Sequence, residues 1–116
     1  MVHMVFGKKD DRIFLTCRGH AGYAELGKDI VCAAATMLAY TLAQTAVTLN
    51  AEGKLMDDPV ISMVSGDADI SFTPKAEHRQ EGIHVIRVIE NGAHCLAANY
   101  PDNVQVHYIG YGDDAD

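Results

Sequence analysis

The chain has 116 residues, 48% of them hydrophobic and 22% charged, which is the composition of an ordinary soluble globular domain. We therefore expect one domain over residues 1–116, long enough to bury a hydrophobic core of its own. The formal net charge of −7, with nine Lys and Arg against sixteen Asp and Glu, argues against direct binding of nucleic acid.

The first two predicted elements are strands that form an N-terminal hairpin. Residues 2–6 and 12–18 are rich in apolar and β-branched residues, and a polar turn separates them. In the second strand, Leu15 and Cys17 lie on the same apolar face. The hairpin brings the chain to His20.

A loop over residues 21–28 leads into a long predicted helix that begins after Asp29. Asp is a good N-cap residue, and Cys32 would then be the third helical residue. Backbone N–H groups of a first turn have no partner within the helix, and the helix dipole is positive there. Both effects favour the thiolate form of a cysteine, which is its nucleophilic form. Cys32 is therefore a candidate nucleophile.

The long helix is predicted to run to about residue 49, and it carries two apolar stripes at helical spacing. The first stripe comprises Val31, Ala34, Ala35, Leu38, Leu42, Ala46 and Leu49, and the second comprises Ile30, Ala33, Met37, Tyr40 and Val47. Because a helix with two apolar faces is buried on both, we predict a homodimer in which another subunit covers the second stripe. Residues 30–51 carry no charge, but they are too rich in Ala and Thr to indicate a membrane span, so we expect no membrane partner.

Two more strands and a second helix are predicted after a connector over residues 50–59. Residues 60–65 and 68–73 surround a Gly-Asp turn, and apolar and polar residues alternate in the second of them, which predicts another hairpin. From residue 75 the apolar residues recur every three or four positions, which indicates a helix, and Pro101 lies beyond its end.

A final strand is predicted over residues 104–108, and an acidic tail over residues 110–116 is expected to be frayed. The element order is thus β-β-α-β-β-α-β. This order predicts an α/β fold of the α+β type, a two-layer sandwich in which two helices pack against a mixed sheet of about five strands.

His20 and Cys32 are the candidate catalytic residues. A glycine-containing loop separates them, so the chain can fold back and bring them together. A His–Cys pair is the minimum for cysteine-based acyl transfer, with His as general base. Asp29 is expected mainly to cap the helix, with orientation of His20 as a second role. Gly19 and Gly27 are expected to be backbone-permissive positions beside the site, and backbone N–H groups near the cysteine are expected to form an oxyanion hole.

The stretch GHAGYAELGKDIVCAA, residues 19–34, resembles the signature of the bacterial ribosomal-processing cysteine proteases, the Prp family. The family pattern combines a GHA tripeptide with a GxDIVCAA block, and both halves occur here at matching separation. Length, element order and a late Tyr100-Pro101 pair agree as well. The family has Val-Ser directly after CAA, whereas this chain has Ala35-Thr36. Thr36 keeps the hydroxyl of that serine and adds a methyl group.

The resemblance implies a cysteine endopeptidase of the bacterial cytoplasm with Cys32 and His20 as catalytic residues and with no cofactor. Its substrate would be a ribosomal protein, large-subunit protein twenty-seven, from which it removes a short N-terminal extension after adjacent aromatic residues. The acidic charge of the chain suits a basic polypeptide of this kind.

Two other function classes remain open from the residues alone. One is a non-catalytic ribosome-assembly binding module on the same fold, which only Thr36 favours. The other is a thiol redox or metal protein that uses Cys17, His20 and Cys32. Structural zinc usually takes four ligands with paired short spacings, and no resolving cysteine is evident, so we predict no metal. The three cysteines, Cys95 included, are expected to be free thiols in a reducing cytoplasm.

Overall fold

The chain forms two strands, a long helix, two further strands, a second helix and a final strand, in the order that the sequence predicts. The structure is a computed structural model that describes residues 1–25 and 27–110. The predicted acidic tail lies outside the described residues except for Gly110. The elements are β1 (Val2–Lys9), β2 (Arg12–Arg18), α1 (Ile30–Ala51), β3 (Val60–Val64), β4 (Asp67–Phe72), α2 (Arg79–Asn99, after the 3-10 turn Ala76–His78) and β5 (Val104–Ile109).

The strands form one mixed sheet in the order β3-β4-β2-β1-β5. The pairs β3–β4, β4–β2 and β2–β1 are antiparallel, whereas β1 and β5 are parallel, with Val2 opposite Val104 and Met4 opposite Val106. β4 and β5 run in the same direction three places apart in the sheet, and α2 supplies the long crossover between them. The predicted mixed sheet of five strands with two helices is confirmed.

The core lies between the sheet and the two helices, which pack on one face of it. Alternate strand residues point into this core, and Phe6, Leu15, Ile70 and Val104 are each at most 2% exposed. Leu42 of α1 belongs to the same buried cluster. This alternation follows from the two-residue period of a strand, which gives each strand one core-facing side.

Two element ends differ from the sequence prediction by more than two residues. β1 continues to Lys9 instead of ending at residue 6, because its polar end pairs with residues 12–14 of β2. Pairing across the hairpin here outweighs the weak strand preference of a Gly-Lys-Lys segment. α2 begins at Arg79 rather than near residue 75, because the chain first makes a 3-10 turn.

Helix α1 has one face in the core and one face exposed. Its buried residues are Val31, Ala35, Ala39, Leu42, Ala43, Ala46 and Leu49. The predicted second stripe faces outward, with Met37 62% and Tyr40 51% exposed in the single chain. By length and apolar composition α1 could cross a membrane, and the core helix of a soluble protein passes the same test. Packing against the sheet accounts for the apolar face of this helix.

Candidate active site

Cys32 lies in the first turn of α1. Asp29 is the N-cap of this helix, with extended backbone angles of φ −85° and ψ 105°. Oδ1 of Asp29 accepts hydrogen bonds from the backbone N–H groups of Val31 at 2.9 Å and Cys32 at 3.0 Å. Asp29 therefore caps the helix, as predicted from its residue type, and the thiol stands at the positive end of the helix dipole.

Asp29 also holds the loop that precedes the helix. Its Oδ2 accepts hydrogen bonds from the backbone N–H groups of Tyr23 at 2.9 Å and Ala24 at 3.2 Å. The residue is only 6% exposed. Burial disfavours its charged form, but the four backbone donors outweigh burial and lower the pKa of the Asp29 carboxyl. One carboxylate thus fixes both the helix start and the loop.

The thiol of Cys32 accepts a hydrogen bond from the same loop. The backbone N–H of Ala21 donates to Sγ of Cys32 at 3.1 Å. A hydrogen bond strengthens when its acceptor becomes charged, so this N–H is placed to stabilise negative charge that develops on the sulfur of Cys32. The N–H of Cys32 itself is bonded to Asp29, so in this conformation it is not an oxyanion donor.

His20 follows β2, and its exposed ring lies against the turn between β3 and β4. A Cβ atom placed on Gly66 would stand 2.8 Å from Nε2 of His20, so the ring and the turn are in close contact. The N–H of Gly19 donates to the Gly66 carbonyl at 2.9 Å and anchors the adjoining segment to the same turn. Within the described residues, the hydrogen bonds of the Cys32 thiol and of the Asp29 carboxylate do not involve the His20 ring.

His20 and Cys32 line one cavity of about 340 Å³. Its walls come from the end of β2, the first turns of α1 and the β3–β4 hairpin, with Thr36, Met63 and Gly66 among the lining residues. The volume is near the lower end of the range for ligand pockets. A His and a Cys at the wall of one cavity are the residues that cysteine-based acyl transfer requires.

The family model of the cysteine protease Prp matches residues 1–105. The chain belongs to this family. It is therefore a cysteine protease, as the resemblance of its GHA and DIVCAA segments implied.

Solved structures of similar fold include two of the ribosomal processing protease Prp from S. aureus. The complex with a covalently linked product peptide has a TM-score of 0.70 and 18% identity, over 93% of this chain and 99% of that chain. The complex with a substrate peptide has a TM-score of 0.66 and 17% identity over the same shares, 93% and 99%. A Streptococcus mutans protein has a TM-score of 0.65 and 21% identity over 95% of each chain. At these identities the likeness shows the fold. No curated protein matched the chain.

The remaining predicted site residues border the same region. Gly19 precedes the loop and Gly27 lies near its end, with φ of +93° and +89°, a conformation that glycine adopts at little cost. Thr36 is exposed and lines the cavity one helical turn after Cys32. The part that these three residues take in catalysis stays a prediction, as does that of Asp29.

Cys17 lines the same cavity as Cys32 and His20, the residues with which it was considered as a metal or redox site. Its place on the inner face of β2, opposite Met4 and Ala68, follows from the strand alternation. Burial, and next the neighbouring Cys32, raise the pKa of the Cys17 thiol to about 11, against the opposing effect of Arg18. Cys17 is therefore a neutral thiol at physiological pH.

Gly66 and Asn103 are two further contributors that sequence reasoning missed. The sequence indicated only a turn at Gly66, whereas in the structure the His20 ring packs against this glycine. Asn103 precedes β5, and its side-chain Nδ2 donates to the carbonyl of Ala21, 82 residues earlier, at 2.9 Å. The parallel register of β1 and β5 brings the two segments together, and no local pattern in the sequence signals it.

Over residues 1–25 and 27–110, no three His, Cys, Asp or Glu side chains are grouped closely enough to hold a metal ion. The trio of Cys17, His20 and Cys32 considered from the sequence therefore does not form such a group.

Proposed function

We propose that Cys32 is the nucleophile and His20 the general base of a bacterial cytoplasmic endopeptidase that removes a short N-terminal extension from large-subunit ribosomal protein twenty-seven. The observation that carries the proposal is the environment of Sγ of Cys32. This atom stands at a helix N-terminus, accepts the Ala21 N–H at 3.1 Å and shares a cavity with His20. Family membership supports the peptidase class, and the related S. aureus protease has been solved with peptides.

In this mechanism the Cys32 thiolate attacks the scissile carbonyl carbon, a C–S bond forms, and the carbonyl oxygen takes the negative charge. The C–N bond then breaks, and protonated His20 gives its proton to the leaving amine. Water attacks the resulting thioester while His20 accepts one of its protons. The C–S bond breaks, the carboxyl product leaves, and the Cys32 thiolate and protonated His20 are restored.

The His20 ring must approach Sγ for these proton transfers, because in this structure it rests on Gly66. The ring is exposed, so rotation about its side-chain torsions meets little packing resistance. Catalytic hydrogen bonds of free enzymes commonly tighten only when substrate binds. We expect substrate to complete the His20–Cys32 contact.

The cavity borders an edge strand that suits an extended peptide. β3 is at the end of the sheet order, and its Met63 and Val64 line the cavity. An extended substrate can pair its backbone with such an edge while its side chains enter neighbouring pockets. The apolar lining favours the aromatic residues that we expect before the cleaved bond.

The test is cleavage of a synthetic peptide that joins the N-terminal extension to the mature N-terminus, followed by mass spectrometry. The native chain should cut one bond, whereas Cys32→Ala and His20→Ala should be inactive with unchanged circular dichroism. Cys95→Ala, which removes an exposed thiol outside the cavity, should retain full activity. Peptide cleavage by Cys32→Ala would contradict the mechanism. Peptide binding without turnover by the native chain would favour the non-catalytic binding module instead.

We also propose that the protein is a homodimer in which the second subunit packs on the outward face of α1. Ile30, Met37, Tyr40 and Val47 expose apolar side chains there. Several large apolar side chains exposed along one helix favour an interaction surface. Met37→Asp should lower the dimer fraction in sedimentation equilibrium, whereas Val88→Asp, at an exposed apolar position of α2, should not. A native chain that sediments as a monomer would contradict the dimer.

A further inference from the structure

Asn103 lies in the connection between α2 and β5, and its backbone is held on both sides. Its N–H donates to the Tyr100 carbonyl at 3.0 Å, and its carbonyl accepts the N–H of Val2 at 2.9 Å. The end of a helix and the start of β1 therefore both fix this residue. A side chain on such a backbone has little freedom to move away from its partner.

The same connection holds the loop before Cys32 at two points. The side-chain Nδ2 of Asn103 donates to the carbonyl of Ala21 at 2.9 Å, and Ala21 is 2% exposed. The ring of Tyr100 meets the ring of Tyr23 edge to face, with centroids 5.3 Å apart. A buried carbonyl depends on its donor, because burial without a hydrogen bond carries the full desolvation penalty.

We propose that Asn103 is a positioning residue for the nucleophile: it holds Ala21 in the place from which the Ala21 N–H donates to Sγ of Cys32. This inference rests on the proposed function and adds to it a residue from the far end of the chain. The Ala21 N–H lies 3.1 Å from Sγ and favours the thiolate only while Ala21 stays in place. Asn103 acts through Ala21 and does not touch the reacting atoms.

Other titratable groups face the same thiol. Cys17 and His20 line its cavity together with Asp67, and Asp29 lies at the start of its helix. The described hydrogen bonds of Asn103 go to none of these groups. Replacing Asn103 should therefore change the environment of the thiol through Ala21 and leave the charges around the cavity as they are.

The test compares Asn103→Ala with Asn99→Ala. Asn99 is a matched control, because its side-chain amide also donates to a backbone carbonyl, that of Cys95 at 2.8 Å within α2. The rate of Cys32 alkylation by iodoacetamide is measured against pH, with peptide mapping to separate it from the other thiols. Loss of one charge-assisted hydrogen bond should move the Asn103→Ala profile up by about one pH unit, so that alkylation below the midpoint slows about tenfold. Asn99→Ala should follow the native profile, and Asn103→Gln, which keeps the amide, should lie between.

The native chain gives an independent measurement that needs no variant to fold. In ¹⁵N-labelled protein, the amide proton of Ala21 should shift downfield as Cys32 ionises, because its hydrogen bond strengthens when the acceptor becomes charged. In Asn103→Ala that shift should shrink, whereas in Asn99→Ala it should remain.

An Asn103→Ala profile equal to the native one would overturn the proposal, and so would an Ala21 amide proton that does not respond to Cys32. Equal effects of the two asparagine variants would also overturn it. Peptide cleavage on the same samples separates this proposal from the proposed function. If Asn103→Ala shifts the alkylation profile but the native chain cuts no peptide, Asn103 remains a positioning residue and the proposed endopeptidase activity is wrong. If Asn103→Ala loses cleavage but keeps the native alkylation profile, the endopeptidase stands and Asn103 does not position the thiol. The Ala21 N–H would then be assigned to the oxyanion.

Discussion

The two halves of the candidate active site are built in different ways. Around Cys32, the Asp29 carboxylate accepts four backbone hydrogen bonds and the thiol accepts a fifth. His20 is held through its backbone, where its carbonyl accepts a hydrogen bond from the N-terminal amino group of Met1 at 2.6 Å, and the described hydrogen bonds do not hold its ring. Its exposed ring rests on the backbone of Gly66.

This difference matches the different tasks of the nucleophile and the general base. A nucleophile gains from fixed donors around it, because they lower the cost of its charge before substrate arrives. A base that first takes a proton and then delivers it to a leaving amine must reach two positions. The Ala21 N–H, in a loop that Asp29 holds, suits the first task, and the lightly held ring of His20 suits the second. The predictions below alter one half at a time.

The largest effect on the Cys32 half is expected from Asp29→Ala. This change removes the helix cap and the anchor of the loop together, so the free energy of unfolding should fall by about 2 kcal/mol. The thermal midpoint should drop by roughly 8 °C. Peptide cleavage should fall more than tenfold, because the loop that carries the Ala21 N–H is released. Thermal unfolding and the peptide assay measure the two effects.

Asp29→Asn and acid pH separate the cap from the charge. Asn keeps one acceptor oxygen, so this variant should lose less stability than Asp29→Ala. The pKa of the Asp29 carboxyl is lowered from an ordinary value of 3.8, so its contribution is present above that value and is lost as the pH falls through the lowered one. The stability gap between native and Asp29→Ala should therefore close in strong acid. A gap that stays constant would contradict this account of Asp29.

On the His20 half, Gly66→Ala should reduce cleavage about tenfold. The new methyl group would stand 2.8 Å from Nε2 of His20 and displace the ring. Gly53→Ala is a matched control, because Gly53 has the same φ of +74° and nothing within 4 Å of an added Cβ. Both variants should lose about 1 kcal/mol of stability through the positive φ, measured by denaturant unfolding. Equal activity of the two variants would show that Gly66 does not position His20.

Cys17 belongs to neither half, and the effect expected there is on its own reactivity and on stability at high pH. With a pKa of about 11, its thiol should react with iodoacetamide at pH 8 about a hundredfold more slowly than an ordinary exposed thiol. The pKa of the Cys17 thiol is raised from an ordinary value of 9.0 to about 11 by folding. The free energy of unfolding should therefore fall as the pH rises between these two values. Cys17→Ala should flatten that decline. An equally steep decline in Cys17→Ala would assign it to other groups.

The smallest effect is expected at Thr36. Thr36→Ser keeps the hydroxyl in the cavity and should change peptide cleavage less than about twofold. Thr36→Val removes one hydroxyl at nearly constant shape, and a single hydrogen bond of about 1 kcal/mol corresponds to a loss of about fivefold. Steady-state cleavage by the two variants measures the difference. A loss of a hundredfold or more in Thr36→Val would place this hydroxyl among the groups that act on the reacting atoms.

The Cys32 half was the more predictable from sequence. A cap at Asp29 and a thiol three residues later depend on contacts within one helical turn, and the sequence shows both. The order of strands and helices also followed from local periodicity. The His20 half depends on the contact of His20 with Gly66, which two hairpins create together. Asn103 depends on the parallel pairing of β1 with β5, and no periodicity within either strand specifies its partner.

The parallel pairing of β1 with β5 also determines the order in which the site can be assembled during synthesis. β1 can pair with β2 as soon as the first hairpin has left the ribosome, but its other edge stays open until β5 emerges. Contacts between segments so distant in sequence form late and slowly. The amide of Asn103 reaches Ala21 only at that stage, so a nascent chain carries Cys32 before it carries the complete loop around it. We therefore expect proteolytic activity to appear only after β5 has been made and has paired with β1.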